Sequence, residues 1–191
     1  MMLSHPAGDV ALFEPDHPDL PAAAEVVLAW ARSYLCRPHP DLGRSGDVCP
    51  YTAVSLVRGG FFLAVHPGRP DLRAVMTAYR DWFPDLPPRE GPQARYRTVL
   101  VVLPDVTPGE IDRSQRELKP GFVERGLMIG EFHPGPPSAP GLWNADFRPM
   151  RSPLPLLAVR HMVAADAPFL RADPEHLAAY RSRFGDRGAY R

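Results

Sequence analysis

The segment Thr98–Leu103 constrains this chain most: an unbroken apolar run, followed after a short gap by Thr107-Pro108-Gly109-Glu110. Such a run reads as a strand covered on both faces. The second motif is a capping box, in which the threonine oxygen and the glutamate carboxylate satisfy orphan amides and the proline fits the first turn. A buried strand that feeds a capped helix requires a sheet with helices packed on it. Other segments extend the pattern. A helix is predicted over Pro21–Leu35, with Asp19 near its cap and Val27, Trp30, Ala31 and Tyr34 on one face. Residues 36–51 read as loop because Pro38, Pro40, Gly43, Gly46 and Pro50 interrupt them. Thr52–Val57 and Phe61–Val65, joined by Arg58-Gly59-Gly60, read as a β-hairpin. Asp71–Phe83 has helical spacing of Leu72, Val75, Met76 and Tyr79, and Pro84 ends it. The capped helix meets Pro120, where a kink or restart is expected. Strands follow at Leu127–Phe132 and Leu154–Val163, and a last helix opens at Asp173-Pro174 and closes at Gly185.

This order predicts an α+β fold: a two-layer sandwich with a mostly antiparallel sheet, for which a ferredoxin-like variant is one form. With 191 residues, 45% of them apolar, the chain supports one core. The expected division is a single domain over 21–185, with 1–20 and 186–191 loosely held.

Acidic and basic residues balance at 22 each, so no global field gathers nucleic acid or an anionic membrane. No apolar stretch approaches the roughly 20 residues that span a bilayer, and Met1–Val10 lacks the features of a secretion signal. The expectation is a cytoplasmic protein with neither nucleic-acid nor membrane partners. In that reducing setting a disulfide between Cys36 and Cys49 is unnecessary.

The long polar connection between the last two strands is where function is expected, since a structureless segment of that length inside a domain is uncommon. It carries His133, Trp143, Asn144, Arg148 and Arg151. Arg148 and Arg151, set among prolines, form a candidate clamp for a carboxylate or phosphate, joined by Arg44 and Arg160. Arg160 and His161 are adjacent on a strand and must face opposite sides of the sheet. Arg160 therefore either pairs with a structural acid or reaches a ligand, and His161 is expected to complete a core hydrogen bond. Trp143 and Asn144 would contact the ligand, although Asn144 equally suits a turn. His133, at a strand end, is the candidate general acid or base, and Cys49 the candidate nucleophile.

Metal and haem are the alternatives. Cys36, His39, Cys49 and His133 together are a donor set that zinc accepts, and Cys49 or His133 could ligate haem iron with arginines at the propionates. Phosphate-binding glycine loops, a nucleophile-elbow serine and a dinucleotide fingerprint are absent from the sequence.

The segments Gly43-Arg44-Ser45-Gly46-Asp47-Val48-Cys49-Pro50, Phe132-His133-Pro134, Phe147-Arg148-Pro149-Met150-Arg151-Ser152-Pro153 and Arg160-His161-Met162-Val163 together resemble an uncharacterised domain family of actinomycetes and other bacteria. The resemblance covers about Pro21 to Leu170 and implies a stand-alone domain compatible with specialised metabolism. The residues themselves point to a small enzyme acting on an anionic small molecule. A haem- or other ligand-binding protein and a non-catalytic protein-interaction module are the competing expectations.

Overall fold

A computed structural model describes residues 1–5, 10–137 and 144–186. Its centre is the apolar run identified above: β4 (Thr98–Val102) is buried along its whole length. It pairs in parallel with β3 (Phe61–Val65) and antiparallel with β6 (Leu156–His161). Beyond β6 lies β5 (Leu127–Phe132), and beyond β3 lie β2 (Ala11–Phe13) and β1 (Met2–Ser4). The six-stranded order is β1-β2-β3-β4-β6-β5, and β3–β4 is its one parallel pairing among the described residues. The protein is therefore an α+β fold with a mostly antiparallel sheet.

The helices cover both faces. On one, α1 (Ala22–Trp30), its π-helical continuation Ala31–Leu35 and α2 (Thr52–Val57) pack over Phe61, Leu63, Leu100, Val102 and Leu156. On the other, α3 (Leu72–Trp82) and α4 (Pro108–Glu124) pack over Phe62, Ala64, Val99, Val101, Ile129, Leu157 and Val159. The sheet is thus the middle of three layers, not one of two. Two short helices, α5 (Ala167–Leu170) and α6 (Pro174–Phe184), join Val123 of α4 and Met128 of β5 in a smaller cluster.

The connection β4–α4–β5 is a split βαβ unit with β6 inserted between its parallel strands. A ferredoxin-like sheet needs two such units, but β3 and β4, joined through α3, are direct neighbours. The ferredoxin-like variant is therefore not the topology adopted.

Local chemistry explains most boundaries. Thr107 accepts from the Glu110 amide while the Glu110 carboxylate accepts from the Thr107 amide at 2.9 Å, completing the capping box. The helix then runs on through Pro120 without restarting. Asp71 and Asp173 cap α3 and α6 through their carboxylates. The expected hairpin is the clearest departure, because Thr52–Val57 is helical. Gly59, at φ +65°, follows the last turn of α2, and a glycine in the left-handed region suits a helix C-terminus as well as a hairpin turn. The first twenty residues also differ from expectation. They supply β1 and β2, and Leu12 is fully buried in the larger core.

Candidate functional site

Sheet parity separates the residues that sequence reasoning grouped together. His133 continues the side of β5 that carries Leu127, Ile129 and Glu131, facing α4. Cys49 packs with the α1 cluster on the other face. The proposed acid–base and nucleophile are thus divided by the sheet. His133 is 1% exposed, and both ring nitrogens are occupied. The Gly135 amide donates to Nδ1 at 3.3 Å, which fixes Nε2 as the protonated atom, and Nε2 donates to Asp112 at 3.0 Å. Its carbonyl accepts from Ser152, closing the base of the long connection. A ring so held has no free lone pair for iron or zinc and no free edge for a substrate. In this arrangement His133 anchors the base of the long connection, and both nitrogens that could serve the alternative roles of haem ligand or fourth zinc donor are engaged. Glu131 lies near the Asp112–His133 pair, and its burial, with Asp112 adding repulsion, pushes its carboxyl pKa up.

The rest of the zinc set does not assemble either. His39 turns inward on its own loop, accepting from the Asp41 amide at 3.3 Å, and its ring stacks on Phe147 at 4.5 Å. Cys36 and Cys49 are both free and partly buried. Among the described residues no group of three or more His, Cys, Asp or Glu side chains is placed to hold a metal ion.

The arginines do not form the expected clamp. Arg148 donates to the Ala145 and Phe147 carbonyls, at 2.7 and 3.2 Å, and so braces its own loop. Arg44 does the same with Ser45 and Val48. Arg151 is exposed and joins the fold through its backbone bridge to His133. Asn144 accepts from the Asp146 amide at 2.9 Å, the turn-capping role. Trp143 lies outside the described residues.

Arg160 meets the structural partner that was its alternative. Its Nη1 and Nη2 donate to the two oxygens of Asp166 at 2.7 and 2.6 Å, and Nη1 also donates to the His161 carbonyl. Asp166 is 2% exposed, so this is a mostly buried, charge-neutral pair. His161, facing the other way, accepts from Arg97, a buried arginine that also donates to the Pro84, Leu86 and Ala94 carbonyls.

On the α1/α2 face two small residues lie between bulkier cross-strand pairs, and we call this step in the sheet surface the depression. Gly130 of β5 and Ala158 of β6 are direct cross-strand partners, and both remain partly exposed although β6 is an interior strand. The pairs on either side are bulky: Phe132 opposite Leu156, and Met128 opposite Arg160. A Cβ added at Gly130 would meet the Phe132 ring at 3.4 Å and the Met150 methyl at 3.6 Å, which places both beside the floor. Trp30 meets Phe132 edge-on and stacks with Tyr34, whose hydroxyl donates to the Arg148 carbonyl at 3.4 Å. At the other end Arg160 lies over the Tyr51 ring, 5.7 Å from its centre, and Cys49 is within electrostatic reach of the guanidinium. Burial and the Asp166 charge push the Tyr51 phenol pKa up, so it is a hydrogen-bond donor at neutral pH.

Sequence reasoning missed the floor and Asp166. A glycine inside a strand marks a bulge or a close approach, and Gly130 carried that mark. Asp166 lies six positions beyond Arg160 in the sequence, but its place as a partner depends on the turn at Ala164–Asp166.

No described helix is long and apolar enough to cross a membrane. No curated protein and no solved structure matches the chain. A family model, by contrast, spans residues 24–191, which include every residue of the depression, and by that match the chain belongs to the family described as Domain of unknown function (DUF6875).

Proposed function

We propose that this domain acts in the cytoplasm on a small organic molecule that lies on the Gly130–Ala158 floor, with Trp30, Tyr34 and Phe132 at one end and Cys49, Tyr51 and Arg160 at the other. The supporting observation is the pairing of two of the smallest residues, directly opposite each other and partly open, with bulkier cross-strand pairs on either side. Aromatic walls around an apolar floor, with few polar groups, are the usual make-up of a small-molecule site. Cys49 is the group we assign to covalent chemistry, and its free thiol accords with a reducing compartment. His133 has no part in this chemistry.

The reading is tested by a fragment screen with ligand-detected NMR on wild type and on Ala158→Leu, which fills the floor with a residue that strands accept. Fragments that bind wild type, lose binding in the variant and slow alkylation of Cys49 by iodoacetamide in the wild type support it. Fragments that bind both proteins equally and leave alkylation unchanged defeat it.

A further inference from the structure

The polar end of the depression has an electrostatic character that defines its occupant. Arg160 would attract an anion if its charge were free. Both of its terminal nitrogens instead donate to Asp166, which is buried and also accepts from the Val163 amide at 2.8 Å. The pair carries no net charge, and the buried carboxylate lies within one guanidinium width of anything that approaches Arg160. A second anion would meet that carboxylate at short range in a poorly screened setting. The donors that remain are uncharged in effect. In Arg160, Nε–H and one Nη2–H make no hydrogen bond among the described residues, and the side chain keeps 25% of its surface open. Tyr51, whose ring lies under the guanidinium, adds a protonated phenol. No described acceptor claims these donors, which leaves them open to an acceptor from outside the chain.

Shape adds a second constraint. The floor is a glycine–alanine pair with no side chain beyond Cβ, and the aromatic rings of Trp30 and Phe132 meet edge to face at 5.7 Å beside it. A flat ring lies on such a floor with its edge against Phe132, whereas a branched aliphatic group does not fill it. Aromatic pairs in these geometries contribute beyond their buried area.

We infer that the depression takes a flat, π-rich molecule whose polar end is an uncharged hydrogen-bond acceptor, a carbonyl of the amide or ketone kind, held by Arg160 and Tyr51. This rests on the reading of the depression as a ligand site, and it proposes a different ligand from the anionic one expected of the cluster of Arg148 and Arg151 with Arg44 and Arg160. The Arg160–Asp166 pair acts as a neutral donor platform and discriminates against carboxylates of the same shape.

The test compares 2-naphthamide with 2-naphthoate, alike in shape and different in charge, by titration calorimetry on the full chain. The expected result is at least tenfold tighter binding of the amide to wild type. In Asp166→Asn, which keeps the shape and removes the charge, the preference moves toward the carboxylate by tenfold or more. A carboxylate that binds wild type as well as the amide does, with both lost in Ala158→Leu, overturns the inference and leaves the site reading standing. Binding of neither compound to wild type at millimolar concentration, or equal binding of both to Ala158→Leu, overturns the site reading itself. Unchanged selectivity in an Asp166→Asn protein that melts cooperatively overturns the role of the pair.

Discussion

The guanidinium of Arg97 donates through Nη2 to Nε2 of His161 at 3.0 Å, joining the last residue of β6 to the start of β4. Burial and the neighbouring positive charge hold the His161 imidazole neutral, with its pKa pushed down to about 4 from 6.5. The unfolded chain takes up a proton at this ring near its ordinary value, so the unfolded state binds more protons between those two values. Stability from this pair is therefore complete above pH 6.5 and is lost as pH falls toward 4. Melting curves from pH 7.5 to 4 in wild type and His161→Gln check this. The wild type shows the steeper decline across that window, and parallel curves contradict the assignment.

The same physics gives Arg160 a structural burden beside its place at the depression. Removing it strands Asp166, which is 2% exposed, as an unpaired buried carboxylate. Arg160→Met is expected to cost about 3–5 kcal/mol. The double variant Arg160→Met/Asp166→Leu recovers a large part of that, because an apolar pair leaves no buried charge behind. Urea denaturation of the single and double variants measures the difference. A single variant as stable as wild type shows that Asp166 finds another partner.

His133→Ala removes a buried ring that accepts from Gly135 and donates to Asp112. The expected cost is about 1–3 kcal/mol, from the broken pairing of buried polar groups. Binding of fragments to the Gly130–Ala158 floor should persist in any fraction that remains folded, since His133 faces α4 on the other side of the sheet. Thermal melts paired with the NMR screen decide it. A variant that melts as wild type does and loses all binding would return His133 to the site.

These outcomes trace how far the sequence could be read. Strands β3, β4, β5 and β6 and helices α1, α3, α4 and α6 were legible, because each is long enough for its apolar pattern to appear or begins with a side-chain cap. The helix α2 was not, since six residues of mixed β-branched character favour a strand locally and are held helical by packing on Phe61 and Leu63. The site was less legible for a topological reason. The long connection brought His133 and the arginines close in sequence, but which face each one serves depends on register. Parity within one strand correctly opposed Arg160 to His161, yet sequence reasoning never applied it between His133 and Cys49. Of the arginines that looked like a ligand clamp, Arg44 and Arg148 bind carbonyls of their own loops and Arg160 binds Asp166, because a forked donor finds nearby acceptors first.

The N-terminal segment gives the last prediction. Residues 2–4 and 11–13 are too short for a period to show, so their pairing in β1 and β2 appears only in the fold. Leu12 nonetheless has no exposed surface and belongs to the larger core, and Phe13 pairs with Leu63 along the outer edge of β3. Without that cover, β3 would present unpaired backbone groups beside its strongly apolar side chains, which invites association with other chains. Leu12→Ala is expected to lose about 2–5 kcal/mol, the range for leucine truncation in a packed core. Deletion of residues 1–13 is expected to lower the melting temperature further and to raise the aggregated fraction. Chemical denaturation of the point variant and light scattering of the truncated protein test these two effects separately. A truncated chain that aggregates no more than the full chain and keeps an unchanged transition would show that the first two strands only decorate the sheet.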